Sequence, residues 1–294
     1  MFTGNMTNFK AKSPKITSSI LFIDKERRWR EPSPITTMTI TKQKETILNY
    51  LYQYRFLNRN QIQQLLNHKK FNQIILWLNE LTKNKFIKRY YNPKTVTVPA
   101  VYSLGSKGRS YLKQNAENLE INPGLLNRIW KEPTLSLQFR WHCQFIADCF
   151  LSLTKLTQAT RATLHYLTKT KLYGMEYMFL PNPDAYFSIT ETNKHKKCFF
   201  LDIFDDLPVR MILRKRIRQY FQYFATNDWQ DHNKNPFPTI IFVCPDTRSY
   251  NYLNKFIKKQ LEEEPQLSFF LALRDIVKIK GINKETIQKI EPNP

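Results

Sequence analysis

From Thr41 onward, apolar residues recur at helical spacing. Ile47, Leu48, Leu51 and Tyr54 fall on one face, which predicts a first helix. Asn58, a good N-cap, opens a second, short helix with Ile62, Leu65 and Leu66 inward. A third helix is predicted from about Lys69 to Lys83, its stripe made of Phe71, Ile74, Ile75, Leu78 and Leu81. The period then changes. Phe86–Tyr91 reads as a strand, Asn92-Pro93-Lys94 as a turn, and Thr95–Leu104 as a second β-rich run. Gly105-Ser106-Lys107-Gly108 leads into another helix near Arg109–Lys113. Three helices followed by a two-stranded ribbon is the order of a winged helix-turn-helix.

Residues 115–133 are polar and carry Pro123-Gly124, with Pro133 at their end, so a linker is expected there. Beyond it, helix and strand alternate. Leu135–Leu153 is amphipathic, with Phe139, Cys143, Ile146, Ala147 and Phe150 on one face. Arg161–Thr168, Asp184–Thr190, Cys198–Phe204, Thr239–Cys244 and Leu267–Leu273 read as strands. Val209–Ala225 and Thr247–Leu261 read as helices. Apart from Asp202 the run at 198–204 is apolar on both faces, and the run at 239–244 is apolar after Thr239, as central strands are. The fold class is therefore α+β or α/β, a mixed sheet flanked by helices behind an N-terminal helix–ribbon domain. The expected boundaries are a basic arm over 1–40, the helix–ribbon domain over 41–114, the linker over 115–133 and the sheet domain over 134–294. Within the arm, Ile20–Asp24 is the one candidate strand.

Charge gives this outline a partner. The 294 residues carry a formal net charge of +22. Solubility alone does not require such an excess, and a polyanion is the simplest reason for it. About +14 of it falls in residues 1–120, where the helix–ribbon pattern lies. Lys69, Lys70, Asn72, Gln73 and Asn79 fall on the polar side of the third helix, and Lys88, Arg89 and Lys94 on the ribbon. Amide side chains can pair with adenine edges, while cations hold phosphates. Double-stranded DNA is the expected partner, with other proteins, or a second copy of the chain in a homodimer, as further ones.

Other chemistries are poorly supported. Cys143, Cys149, Cys198 and Cys244 form no C-x-x-C pair, which argues against a structural zinc site and fits a reducing cytosol. No run of apolar residues reaches membrane-spanning length, and Met1–Lys15 lacks a signal-peptide core. The six glycines never take P-loop spacing, so ATP use is not expected. Trp77, Trp130, Trp141 and Trp229 would serve a core or a protein interface. No cofactor is expected, with one conditional exception. Pro183-Asp184 opens one strand and Asp202 lies in the next, so two carboxylates on adjacent strands would suit Mg²⁺. Asp148 is a candidate third ligand. Such an ion would activate water against a scissile phosphate, and a metal-dependent endonuclease or nickase is the alternative function. Asp205 and Asp206 are expected to cap the following helix.

That arrangement resembles the PD-(D/E)-x-K nuclease core, which implies a restriction-endonuclease-like sheet. In such a core a Lys follows the second acid by two residues. Here that position is Phe204, so Lys215 on the next helix is the candidate substitute. Leu180-Pro-Asn-Pro-Asp-Ala-Tyr186, Cys198-Phe-Phe-Leu-Asp-Ile-Phe204 and the helix ending Arg218-Gln-Tyr-Phe-Gln-Tyr223 carry a second likeness, to the replication-relaxation family of plasmids, phages and integrative elements. It extends over about residues 42–245, and His142 fits it as well. The resemblance implies a role in replication, relaxation or mobilisation of extrachromosomal DNA, with a degenerate nuclease-like domain and other replication or mobilisation proteins as further partners.

Overall fold

The computed structural model describes residues 39–292 except 96, 132, 133 and 207; most of the expected basic arm, with its candidate strand, lies outside the described residues. Helix α1 (Lys42–Tyr54) buries Ile47, Leu48, Leu51 and Tyr54, the positions that its period selects. The short strand β1 (Leu57–Asn58) leads into α2 (Arg59–Leu65). Asn58 caps α2 with a full capping box: its side chain accepts from the Gln61 amide, and the Gln61 side chain accepts from the Asn58 amide. Helix α3 (Phe71–Lys83) buries Ile74, Leu78 and Leu81. It starts two residues later than its period suggests. Phe71, expected on the apolar stripe, is instead exposed beneath the Arg59 guanidinium, 4.3 Å from its ring centroid.

Strands β2 (Ile87–Tyr90) and β3 (Val101–Leu104) pair antiparallel, and β1 adds to the far side of β3, giving the order β1-β3-β2. The β-rich run expected from Thr95 narrows to the four residues of β3, because the described residues between Tyr91 and Ala100 form turns and bends. Helix α4 (Ser106–Gln114) then packs against the ribbon. A Cβ at Gly108 would run into the carbonyl of Phe86, so a glycine is required at this close approach. The segment 115–133, expected to be a linker, contains helix α5 (Pro123–Ile129) with Leu125, Leu126 and Ile129 buried.

The second half is a six-stranded mixed sheet in the order β4-β5-β6-β7-β8-β9. Strands β4 (Thr163–Thr168), β5 (Ala185–Thr190) and β6 (Lys196–Ile203) pair antiparallel. Strands β6, β7 (Thr239–Cys244) and β8 (Phe269–Leu273) are parallel, and β9 (Gln288–Lys289) closes the edge antiparallel. Parallel neighbours need crossover connections. Helices α8 (Arg210–Thr226), followed by the short α9 (Asp228–Asn233), and α10 (Thr247–Glu263) supply them, and α8 and α10 share one face of the sheet.

Side-chain alternation separates the two faces. Tyr186, Phe200, Phe242 and Phe269 point toward α8 and α10, forming one core with Leu213, Ile217, Tyr220, Leu253 and Ile257. Phe187 and Phe199 stack on the opposite face, where Tyr166 and then Phe150 continue the aromatic series. Phe150 belongs to the 23-residue helix α6 (Leu137–Ala159). The helix–ribbon half docks on this side: α1 and α2 contact α6, and α1 contacts the short α7 (Lys169–Leu172). Gln61 is central to the junction, since its amide donates to the Gln144 carbonyl at 2.8 Å and to Asp148 at 2.7 Å. Residues from Ile40 onward accordingly make a single compact unit. Among the described residues, no helix is long and apolar enough to cross a membrane.

Candidate functional site

Two groups of residues bear on function: the polar face of the helix–ribbon half, and the carboxylates where β5 enters the sheet beside the end of β6.

On the first, Lys69 and Lys70 are exposed in the turn just ahead of α3, and Asn72 is exposed in its first turn. Gln73 is half-buried. The exposed stripe continues through Leu76, Asn79 and Lys83, while Glu80 is taken up by Lys44 at 2.8 Å. Lys88 and Arg89 are exposed on β2, the edge strand of the small sheet, and Lys94 is exposed in the loop beyond it. Arg89 lies over the Tyr91 ring, 5.0 Å from its centroid. Two cationic stretches, at the start of α3 and on the ribbon, thus lie on solvent-facing positions, with no salt bridge to a carboxylate among the described residues.

The carboxylates are arranged differently from expectation. Asp184 is buried, and both of its oxygens are engaged. Oδ1 meets His142 Nε2 and Lys169 Nζ, each at 3.3 Å, and Oδ2 accepts from the Ile203 amide at 2.9 Å. Burial by itself would raise this carboxyl; the His142 and Lys169 charges and the two hydrogen bonds overcome it and hold Asp184 well below the usual carboxylate range. The other ring nitrogen of His142 meets Asp205 at 3.0 Å. Burial opposes a charge on this imidazole, but the two flanking carboxylates prevail and push its pKa up to about 10. His142 is therefore an imidazolium at neutral pH, donating from both nitrogens.

Asp202 belongs to a second network. Arg216 of α8 grips it from two nitrogens, Nε to Oδ2 at 2.6 Å and Nη2 to Oδ1 at 3.1 Å. The Tyr220 hydroxyl donates to Oδ2 at 2.8 Å, and the Asp184 amide to Oδ1 at 3.3 Å. Arg216 also donates to the Pro181 carbonyl at 2.6 Å, tying the segment before β5 to α8.

This donor set does not fit Mg²⁺. Each carboxylate already faces cations and hydrogen-bond donors, which occupy the lone pairs that an ion would need. Asp148 accepts from Gln61 and lines a cleft of about 740 Å³ with Asp205 and Arg274, whereas Asp184 lines a cavity of about 280 Å³ with Lys169 and Tyr173, and His142 borders both. Among the described residues, no three His, Cys, Asp or Glu side chains converge as metal ligands. Lys215 is exposed and turned away from Asp202. The inward base is its neighbour Arg216, which shares the helical stripe of Leu213, Ile217 and Tyr220. That spacing was the available signal for Arg216. Phe204 is a core residue stacked on Phe242 at 5.2 Å. Asp205 and Asp206 do not cap α8, whose N-cap is Val209; Asp205 holds His142, and Asp206 holds Arg274 at 2.5 Å. Lys169 had no signal in the sequence, since a turn residue 15 positions before Asp184 meets it only through the β4–β5 pairing.

No match was found among curated proteins. The family model described as replication-relaxation matches residues 48–240. That span holds the helix–ribbon half from within α1, both Asp networks and β7 up to its second residue, and it exceeds half of the chain. The chain belongs to the replication-relaxation family.

Proposed function

We propose that this chain binds double-stranded DNA through α3 and the ribbon, as a winged helix-turn-helix reader serving replication, mobilisation or regulation of a mobile genetic element. The observation that carries the reading is the pair of exposed cationic stretches: Lys69 and Lys70 at the start of α3, and Lys88, Arg89 and Lys94 on the edge strand and its loop. Asn72 and Gln73 follow the two lysines at the N-terminal end of α3, the end that reaches base edges in helix-turn-helix docking. The ribbon cations would hold the flanking backbone, fixing register without reading sequence. Membership of the replication-relaxation family supports a DNA-directed role. The Asp184 and Asp202 networks act in this reading as the frame of the sheet domain, not as a cleavage site.

Fluorescence anisotropy of a labelled duplex against salt concentration tests the proposal. About eight phosphate contacts predict a log–log slope near −7. Replacing Lys69, Lys70 and Gln73 together by Ala should weaken binding at least tenfold at moderate salt. An affinity that barely responds to salt, or a triple variant that binds as well as the parent, would refute it.

A further inference from the structure

The cations of the sheet domain are not scattered. Helix α8 carries Arg210, Arg214, Lys215, Arg216 and Arg218 and no acid at all. Helix α10 carries Arg248, Lys255, Lys258 and Lys259, with acids only at its C-terminal end, Glu262 and Glu263. Apart from Arg216, which is buried on Asp202, the α8 cations are exposed. The two helices lie side by side: Arg210 reaches over the Tyr252 ring, 5.1 Å from its centroid, and Arg218 over Phe256 at 5.8 Å. Their outer faces therefore form one continuous ridge, with Arg214, Lys215 and Arg218 on one row and Arg248, Lys255 and Lys259 on the other.

This charge is placed against local preference. The first turn of a helix favours acids, because its free amides carry partial positive charge. Helix α8 has none there and instead begins with Arg210, beside exposed Val209, Met211 and Ile212. Packing on the sheet does not account for these side chains, since the buried stripe of α8 is Leu213, Arg216, Ile217, Tyr220 and Tyr223.

The ridge also lies on the opposite side of the sheet from the helix–ribbon half. That half contacts α6 and α7, and α6 packs over the Phe187–Phe199 face, while α8 and α10 cover the Phe200–Phe242 face. At 1.5 Å per residue, Arg248 to Lys259 spans about 16 Å. Two such rows, about 10 Å apart, match the dimensions of a DNA groove and its flanking phosphates. The exposed apolar residues are confined to the start of α8, whereas the cations run along both helices. That distribution favours a phosphate backbone over a lipid surface.

We propose that the α8–α10 ridge is a second duplex-DNA surface, so that one copy of the chain bridges two DNA segments held on opposite faces of its sheet. The inference rests on the duplex-binding reading above, but its residues are different.

The test uses the full chain, a bead-bound duplex and a second, labelled duplex, with the mass of the protein measured in the same buffer. The parent should retain the labelled duplex on the beads as a monomer. Arg214→Glu/Lys215→Glu/Arg218→Glu should still bind the beads but lose labelled-duplex retention at least fivefold. Its salt slope should be shallower by about 3. The corresponding Gln variants should show the same loss in weaker form, which separates loss of cations from misfolding. Unchanged bridging or an unchanged slope would overturn the proposal, as would bridging that tracks a dimer mass. Loss of binding to phosphatidylserine vesicles with DNA bridging intact would reassign the ridge to membranes and equally overturn it. If the Lys69/Lys70/Gln73 variant binds normally while the ridge variant does not bind at all, the helix–ribbon reading falls and the two-segment bridge falls with it, leaving the ridge as the duplex surface.

Discussion

Replacing Arg216 by Met isolates a buried, two-point ion pair of the sheet domain. Asp202 and Arg216 are both buried, at 6% and 8% exposure, and their two-point contact is the only full charge compensation that Asp202 has among the described residues. Without the guanidinium, the carboxylate keeps the Tyr220 hydroxyl and the Asp184 amide, which are neutral donors. Leaving a buried charge uncompensated costs about 3–5 kcal/mol. The guanidinium also lies over the rings of Phe179, at 4.8 Å, and Tyr220, at 4.9 Å, contacts worth roughly 0.5–1 kcal/mol each. Methionine refills part of the volume, so the expected loss is about 3–5 kcal/mol in urea unfolding. For a unit of this size that is a fall in Tm of roughly 6–15 °C. Asp202→Asn in the same chain removes the orphaned charge. The double variant should then lose less than the sum of the two single losses, by about 2–3 kcal/mol. A single variant within about 1 kcal/mol of the parent, or strictly additive losses, would show that Arg216 does not hold Asp202 as described.

The His142 contacts have a pH signature. Its folded pKa is raised, so its contribution is fully present below the unfolded value near 6.5 and is lost as pH rises toward about 10. Asp184, held low, contributes above the ordinary carboxylate range, and that contribution fades only as pH falls through its depressed folded value. The Tm difference between the parent and His142→Asn should therefore shrink between pH 6.5 and 10; a constant gap refutes the assignment. Gly108→Ala would stabilise an ordinary helix, but here a Cβ meets the Phe86 carbonyl, so a loss of about 1–3 kcal/mol is expected in the same unfolding assay. A more stable variant would refute that contact.

Much of the order of elements could be read from local pattern. The capping box at Asn58, the stripe of α1 and the largely apolar central strands β6 and β7 depend on period and end chemistry, which neighbouring residues determine. The elements that pattern missed are short. Strands β1 and β9, at two residues each, exist only because a partner strand lies beside them, and α7 occupies a four-residue turn. Helix α3 begins at Phe71, and that residue lies on the surface beneath Arg59 instead of in the core.

The site divides along the same line. Composition and period were enough to set out an acid-free α8 and the cations of β2, because charge and exposure on a regular element follow from spacing, whereas Lys69 and Lys70, expected on the third helix, lie in the turn before it. Which base meets which acid did not follow. Lys215 and Arg216 are adjacent in the chain, yet about 100° of helical rotation places one in solvent and the other on Asp202. His142 reaches Asp184 across 42 residues and Asp205 across 63, separations closed only when α6 lies over the sheet. Tertiary packing, of α6 for Asp184 and of α8 for Asp202, decided that the carboxylates would be neutralised by protein cations. A buried carboxylate must find compensation within the fold, and the nearest source is whatever side chain tertiary packing brings to it.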